Sequence, residues 1–300
     1  MHVKTLSLLL CMLLLVPLAA CGTTSGHYVP NPSPSPVPTA ASSAPETTPA
    51  PTPTPEPSPE PTPEPSAEPT PVWTESDLYE FGAPLEENEP LEDDSFFDTA
   101  VYLGDSRTEG LQLFSGLKRG DFYWARGMTV FKADSEDYRV FEVDAQKYNL
   151  MEVLALKQYE SVYIMLGVNE LGFSAASYQE GLGQLLDKVI ELQPDAVVYL
   201  QLMPPLNDGL CRQNKLASYI NNQNLSQFND AIALLAAEKK VVLLNTAEAY
   251  AGADGQLPAE LASDGCHFAY SAYSRWADYL RCHVIDRERY FLSRAHALEQ

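Results

Sequence analysis

The chain reads Thr99-Ala100-Val101-Tyr102-Leu103-Gly104-Asp105-Ser106 at the point where its apolar residues begin to cluster. The apolar part is short and nearly continuous, which is typical of a strand buried on both faces of a parallel sheet. The Gly104-Asp105-Ser106 segment that follows predicts a tight turn into a helix, with the serine at the helix start. This stretch therefore predicts the first strand, turn and helix of an α/β domain.

Similar apolar runs recur along the rest of the chain and predict further strands, at 122–125, 161–166, 196–203 and 241–244. Apolar side chains at helical spacing lie between or after these runs, over 178–189, 225–235 and 273–284. Right-handed crossovers place helices on both faces of a parallel sheet, so the alternation predicts a three-layer α/β/α sandwich. In such a fold, ligands bind beyond the carboxyl ends of the strands.

The residues that follow the predicted strands include a candidate nucleophile and its base. Ser106 follows the first strand, and a serine needs a general base to become nucleophilic. We favour His267, because Asp264 lies three residues earlier and can accept from Nδ1 while Nε2 faces Ser106. Asp264 could instead cap the last helix, with His267 as a surface residue.

Two further residues are candidate donors to the oxyanion that forms when an acyl carbonyl is attacked. The Asn169 side-chain amide follows the strand at 161–166, although an asparagine there could also simply form a turn. Gly127 could supply a backbone N–H from a neighbouring loop, with Gly116 and Gly120 as nearby alternatives. Together with Ser106, these residues predict acyl-transfer chemistry.

These motifs resemble those of the SGNH hydrolases, also called GDSL esterases, over about residues 95–287. The family pattern maps onto Ser106, Gly127, Asn169 and His267, with Asp264 as the acid before the histidine. The chain departs from it at Arg107, where the Gly-Asp-Ser-Leu name has leucine, and at Glu170, where aspartate is common.

The resemblance implies a flavodoxin-like sandwich that hydrolyses esters or thioesters without a metal or other cofactor. Ser106 would then be the nucleophile, His267 the base and Asp264 the residue that orients it. Ser106, Gly127 and Asn169 would form the oxyanion hole.

The N-terminal third has a different composition from the rest. A positive start, an apolar run and Leu18-Ala19-Ala20-Cys21 predict a signal peptide over 1–21. Its ending resembles a lipoprotein lipobox, which implies lipidation of Cys21 and anchoring on the extracellular face of a bacterial cytoplasmic membrane. Plain secretion after Ala20 is the alternative. We interpret residues 22–72, rich in Pro, Thr, Ser and Glu, as a stalk.

A dense group of acidic residues follows the stalk, and we interpret residues 73–94 as a solvated, acidic lead-in to a domain over 95–300. The net charge of −22 makes nucleic acid an improbable partner. Three cysteines lie in the domain, at Cys211, Cys266 and Cys282. Spacing does not choose a disulfide among them, and they lack the ligand spacing of a structural zinc site.

The sequence favours a surface esterase that removes acetyl groups from cell-wall or other carbohydrate. Aromatic residues near the motifs are candidates for a sugar-binding platform, namely Tyr123, Trp124, Phe173 and Tyr270. A lipase, lysophospholipase or thioesterase is the nearest rival. A glycan O-acetyltransferase and a non-catalytic surface-binding lipoprotein are further alternatives.

Overall fold

The protein is described from a computed structural model, and the residues that the structure describes are 73–300. The predicted signal peptide over 1–21, the lipidation site Cys21 and the stalk over 22–72 lie outside the described residues. Within 73–300, no helix has the length and apolar character needed to cross a lipid bilayer.

The strands, numbered in chain order, are β1 (Ala100–Gly104), β2 (Asp121–Trp124), β3 (Phe141–Val143), β4 (Gln146–Tyr148), β5 (Ser161–Met165), β6 (Val197–Gln201) and β7 (Val242–Leu244). Five of them form a parallel sheet in the order β2-β1-β5-β6-β7, and β3 pairs with β4 in an antiparallel hairpin. In the sheet, Leu103 of β1 lies opposite Tyr123 of β2 and Ile164 of β5. All five sheet strands are those predicted from the apolar runs.

The helices are α1 (Ser106–Phe114), α2 (Leu150–Leu154), α3 (Ala175–Leu192), α4 (Asp208–Gln213), α5 (Asn222–Lys239), α6 (Ser274–Cys282) and α7 (Arg287–Glu299). Buried side chains of α2, α3 and α5 pack on one face of the sheet. Those of α1, α6 and α7 pack on the other. Successive β1 residues alternate between the two cores, with Val101 in the first and Tyr102 in the second. The predicted α/β/α sandwich is confirmed.

The acidic lead-in packs against the domain instead of standing clear in solvent. Tyr79 and Leu85 are buried, and the Leu85 N–H donates to the carbonyl of Leu243 in β7 at 2.8 Å. Farther along, Asp94 forms an ion pair with Arg281 of α6 at 2.7 Å. We expected this segment to be solvated because of its dense negative charge, but its few apolar residues attach it to the domain.

The C-terminal segment also differs from expectation. The stripe over 273–284 predicts a single final helix, but α6 ends at Cys282 and α7 follows it. Tyr290 of α7 is fully buried in the same core as α6. The sequence did not predict α7, because its few apolar residues lie among many charged ones.

Candidate active site

Ser106 lies at the carboxyl edge of the sheet, at the first residue of α1. The preceding Asp105 caps this helix, since its Oδ1 accepts from the Arg107 N–H at 2.8 Å. Asp105 is only 1% exposed, and burial raises its pKa. These contacts place Asp105 in the turn that presents the serine, as the sequence predicts, and leave Ser106 partly exposed.

The structure brings the three residues predicted to carry the chemistry into one line of hydrogen bonds. Ser106 Oγ lies 2.9 Å from His267 Nε2, and His267 Nδ1 lies 2.8 Å from Asp264 Oδ2. Asp264 Oδ1 also accepts from the backbone N–H groups of Cys266, at 2.8 Å, and His267, at 2.7 Å. Asp264 therefore holds both the ring and the backbone of the histidine.

The same contacts govern the ionisation of Asp264. Partial burial alone would raise its pKa, but the hydrogen bonds from the His267 ring, the His267 N–H and the Cys266 N–H outweigh burial. Together they hold the pKa of Asp264 well below its usual range. The aspartate is thus charged at neutral pH and favours the imidazole tautomer with a proton on Nδ1.

The loop between the aspartate and the histidine depends on Gly265. This residue has φ +99°, a conformation that other residues rarely adopt. A Cβ atom there would also lie 2.5 Å from the backbone nitrogen of Cys211. Gly265 therefore allows both the turn and its close approach to α4.

A cavity of about 510 Å³ opens beside the serine. Its lining includes Ser106, His267, Gly127 and Asn169, so the predicted nucleophile, base and oxyanion donors border one space. The structure thus gathers residues from the ends of β1, β2 and β5 and from the loop before α6. This convergence is what the carboxyl-edge rule predicts.

The two predicted oxyanion donors differ in their present contacts. Gly127 has φ +71°, and its N–H has no acceptor among the described residues. The Asn169 amide instead donates to Asp105 Oδ2 at 3.2 Å and to the Met128 carbonyl at 3.0 Å. To accept a hydrogen bond from this amide, an oxyanion would have to displace Asp105, the more distant of the two acceptors.

Glu170, the residue after Asn169, has a role that sequence reasoning missed. Its side chain is fully buried, and Oε1 accepts from the Val130 N–H at 2.6 Å. Oε2 has no hydrogen-bond partner among the described residues. Burial raises the pKa of Glu170 to about 8, so the side chain is mostly neutral at pH 7. It links the Asn169 turn to the loop that carries Gly127.

The aromatic residues near the motifs divide into two groups. Tyr123 and Trp124 are buried, and Trp124 Nε1 donates to Gln112, so the prediction of a sugar platform is wrong for both. Phe173 and Tyr270 are exposed, and Tyr270 borders the cavity. Alternation along β2 turns Tyr123 and Trp124 to opposite faces of a sheet that is covered on both sides.

The remaining histidines and the cysteine thiols take no part in this line of hydrogen bonds. His283 is buried, stacks on Tyr279 and contacts the Tyr279 carbonyl, while His296 lies on α7. Cys211, Cys266 and Cys282 are free thiols. Within residues 73–300, no group of three or more His, Cys, Asp and Glu side chains is arranged to hold a metal ion.

A parallel α/β/α sandwich with a serine, a histidine and an aspartate in sequence at its carboxyl edge defines a serine hydrolase. More specifically, the chain belongs to the GDSL-like lipase/acylhydrolase family, whose family model matches residues 102–275. It is therefore an ester hydrolase of the SGNH type, as the motifs predicted.

Several solved structures are similar to this chain. A GDSL-like lipase from Bacteroides thetaiotaomicron is 15% identical with a TM-score of 0.46, over 64% of this chain and 89% of its own. An acetylxylan esterase from Geobacillus stearothermophilus is 17% identical with a TM-score of 0.43, over 63% and 94%. No curated protein matches the sequence.

Proposed function

We propose that Ser106 is the nucleophile of a two-step ester hydrolysis. Ser106 Oγ attacks the acyl carbonyl carbon while His267 Nε2 takes the hydroxyl proton. Asp264 stabilises the resulting imidazolium through Nδ1. His267 then gives its proton to the departing alcohol, which leaves an acyl group on Ser106. A water molecule, deprotonated by the same nitrogen, releases the acid and restores the serine. The 2.9 Å contact between Ser106 and His267 is the observation that carries this assignment.

The negative charge on the attacked carbonyl needs donors on the other side of the serine. We assign the backbone N–H groups of Ser106 and Gly127 and the side-chain amide of Asn169. The free Gly127 N–H needs no rearrangement before it donates. Asn169 can exchange its 3.2 Å bond to Asp105 for a shorter bond to a fully charged oxyanion. This donor then strengthens its contact in the transition state, which is where a contact accelerates a reaction.

The substrate class that we propose is an acetylated carbohydrate. Phe114 and Tyr270 stack with ring centroids 4.4 Å apart at the edge of the cavity, and Tyr270 is 71% exposed. Its free ring face offers a flat apolar surface for the C–H face of a sugar.

Next to this pair, Arg126 and Glu109 form a two-bond ion pair, with both N···O distances 2.7 Å. They give the same cavity a polar wall for sugar hydroxyls. A long-chain lipid ester would instead favour a continuous apolar groove.

We further propose that the enzyme acts at the cell surface, attached through lipid on Cys21. The support is the sequence of the signal segment and of the stalk over 22–72. Cys21→Ser should move the protein from the membrane fraction to the soluble fraction of the producing bacterium. Wild-type membrane retention in this variant would contradict lipid anchoring.

The substrate proposal is tested by acetate release from acetylated xylo-oligosaccharides and from ethyl acetate, with ethyl octanoate as the lipid-like comparison. We expect Tyr270→Ala to raise the KM for the oligosaccharide several-fold and to leave ethyl acetate hydrolysis unchanged. Tyr219→Ala is the control, because Tyr219 is 46% exposed and does not line the cavity. Faster hydrolysis of octanoate than of every acetylated sugar would overturn the carbohydrate proposal.

A further inference from the structure

We infer that Arg107 is a positioning residue that fixes the catalytic base against the nucleophile. Arg107 directly follows Ser106 in α1, and its side chain reaches the backbone carbonyl of Cys266. Nη2 donates to that oxygen at 2.9 Å and Nε at 3.2 Å. Because Cys266 directly precedes His267, the guanidinium connects the residue after the nucleophile to the residue before the base.

Two more contacts fix the plane of this guanidinium. Nη1 donates to the Pro204 carbonyl at 3.3 Å, in the segment that follows β6. The guanidinium carbon also lies 5.5 Å from the centre of the Phe268 ring, on the other side of His267 in the chain. Arg107 therefore holds both neighbours of the histidine and ties them to the end of a central strand.

The burial of Arg107 indicates that these contacts hold its side chain in one arrangement. The residue is 1% exposed, and among the described residues no carboxylate forms an ion pair with it. Its donors are directed at backbone carbonyls, whose positions follow those of the chain. A guanidinium has a rigid planar fork, whereas a lysine ammonium is a single point that cannot bridge the same acceptors.

The Gly-Asp-Ser-Leu pattern by itself does not provide these hydrogen bonds. The leucine in the Gly-Asp-Ser-Leu pattern has no donor, so it could make none of these bonds. Arg107 replaces an apolar contact with a directional one, between two segments that lie 159 residues apart in the sequence. The consequence is that the Ser106 to His267 distance depends on a side chain that touches neither substrate nor the reacting atoms.

The test compares Arg107→Met and Arg107→Lys with wild type in the full chain. The kcat and KM are measured on ethyl acetate, and the folded active sites are counted by titration with a fluorophosphonate. A small displacement of a catalytic group can lower a rate by up to about 100-fold. We expect Arg107→Met to lower kcat per titrated site by about 10- to 100-fold, with KM little changed. Arg107→Lys should recover only part of this loss.

Arg289→Met is the matched control. Arg289 Nε also donates to a backbone carbonyl, that of Asp77 at 2.6 Å, and its guanidinium lies 5.7 Å from the Trp73 ring. Because it lies away from the cavity, its loss should leave kcat unchanged. Wild-type kcat in Arg107→Met, or a decrease no larger than that in Arg289→Met, would overturn the inference.

If Arg107→Met does not fold, Arg107→Lys decides, and full activity in that variant would also overturn the inference. The inference rests on the ester hydrolysis that the family membership shows and does not depend on the proposed carbohydrate substrate. An enzyme that preferred octanoate would contradict the substrate proposal, and the Arg107 comparison on ethyl acetate could still succeed or fail by itself.

Discussion

The two sides of the cavity each have a buried or half-buried acidic residue, and the pKa values of these two residues are shifted in opposite directions. On the base side, residues 263–268, Asp264 accepts three hydrogen bonds and its pKa is held well below the usual range. On the oxyanion side, residues 127–130 and 168–170, burial raises the pKa of Glu170 to about 8. The base side thus keeps a charge next to the histidine, and the oxyanion side avoids one where we propose that negative charge forms.

This difference has a simple electrostatic reason. In the proposed mechanism a positive imidazolium develops on His267, and a fixed carboxylate nearby stabilises it. A negative oxyanion develops on the opposite side, where a second fixed carboxylate would repel it. A neutral Glu170 can organise the oxyanion loops through its bond to Val130 without this penalty.

The largest effect is expected on the base side, from removing the charge of Asp264. Asp264→Asn keeps the shape of the side chain but removes the charge and favours the wrong imidazole tautomer. By analogy with the serine protease triad, we expect kcat to fall by about 10⁴-fold. Because the pKa of Asp264 lies so low, the loss should be similar at all pH values from 6 to 9. Rates are measured on ethyl acetate, and a decrease below tenfold would contradict an essential charge on this side.

The next effect tests the oxyanion side. Asn169→Ala removes one donor and should lower kcat by about 10²- to 10³-fold, the usual result of losing an oxyanion contact. Acyl-enzyme should still form on Ser106, only more slowly, and mass spectrometry of quenched reactions detects it. Asn224→Ala is the control, because Asn224 is also a partly buried amide that bonds a backbone carbonyl, that of Leu171 at 3.1 Å. Equal kcat values for both variants would remove Asn169 from the oxyanion role.

A smaller effect distinguishes Gly127 from other glycines. Gly127 and Gly255 have φ +71° and +75°, and a Cβ at either would meet no atom within 4 Å. Alanine at either position should therefore cost a similar free energy of unfolding, about 1 kcal/mol. Only Gly127→Ala should also lower kcat, because it disturbs the N–H that we assign to the oxyanion hole. Thermal unfolding and initial rates measure the two quantities, and equal rates would favour a purely conformational role.

The smallest effect on rate is expected at Glu170, where stability is the better measurement. Between its ordinary pKa of 4.5 and its raised value of about 8, the unfolded chain has lost the Glu170 proton and the folded chain retains it. The contribution of Glu170 to the free energy of unfolding must therefore decrease as pH rises through this range. The shift corresponds to roughly 5 kcal/mol at most.

Glu170→Gln cannot ionise, so it should match wild type near pH 5 and be the more stable protein at pH 9. Urea unfolding at both pH values measures this difference. Glu180→Gln provides the control at an exposed position. If Glu170→Gln and wild type lose stability in parallel between pH 5 and pH 9, Glu170 is not held neutral by the fold.

The sequence was sufficient to predict the sheet and the candidate residues that the fold brings together at its edge, since both depend on local patterns. Apolar runs marked the five strands, and the Asp264-Gly265-Cys266-His267 order marked an acid and its base. The hairpin of β3 and β4 escaped prediction because each strand has only three residues, with charges between the apolar ones. The buried contacts of Arg107 and Glu170 escaped it because they join segments that are distant in sequence.

In the proposed mechanism, His267 and Asp264 activate Ser106 before substrate arrives. Reaction of the full chain with a fluorophosphonate, followed by peptide mapping, tests this most directly. We predict one adduct, on Ser106, that is absent in Ser106→Ala and forms far more slowly in His267→Ala. An adduct on another residue, or wild-type labelling of Ser106 in His267→Ala, would contradict the account.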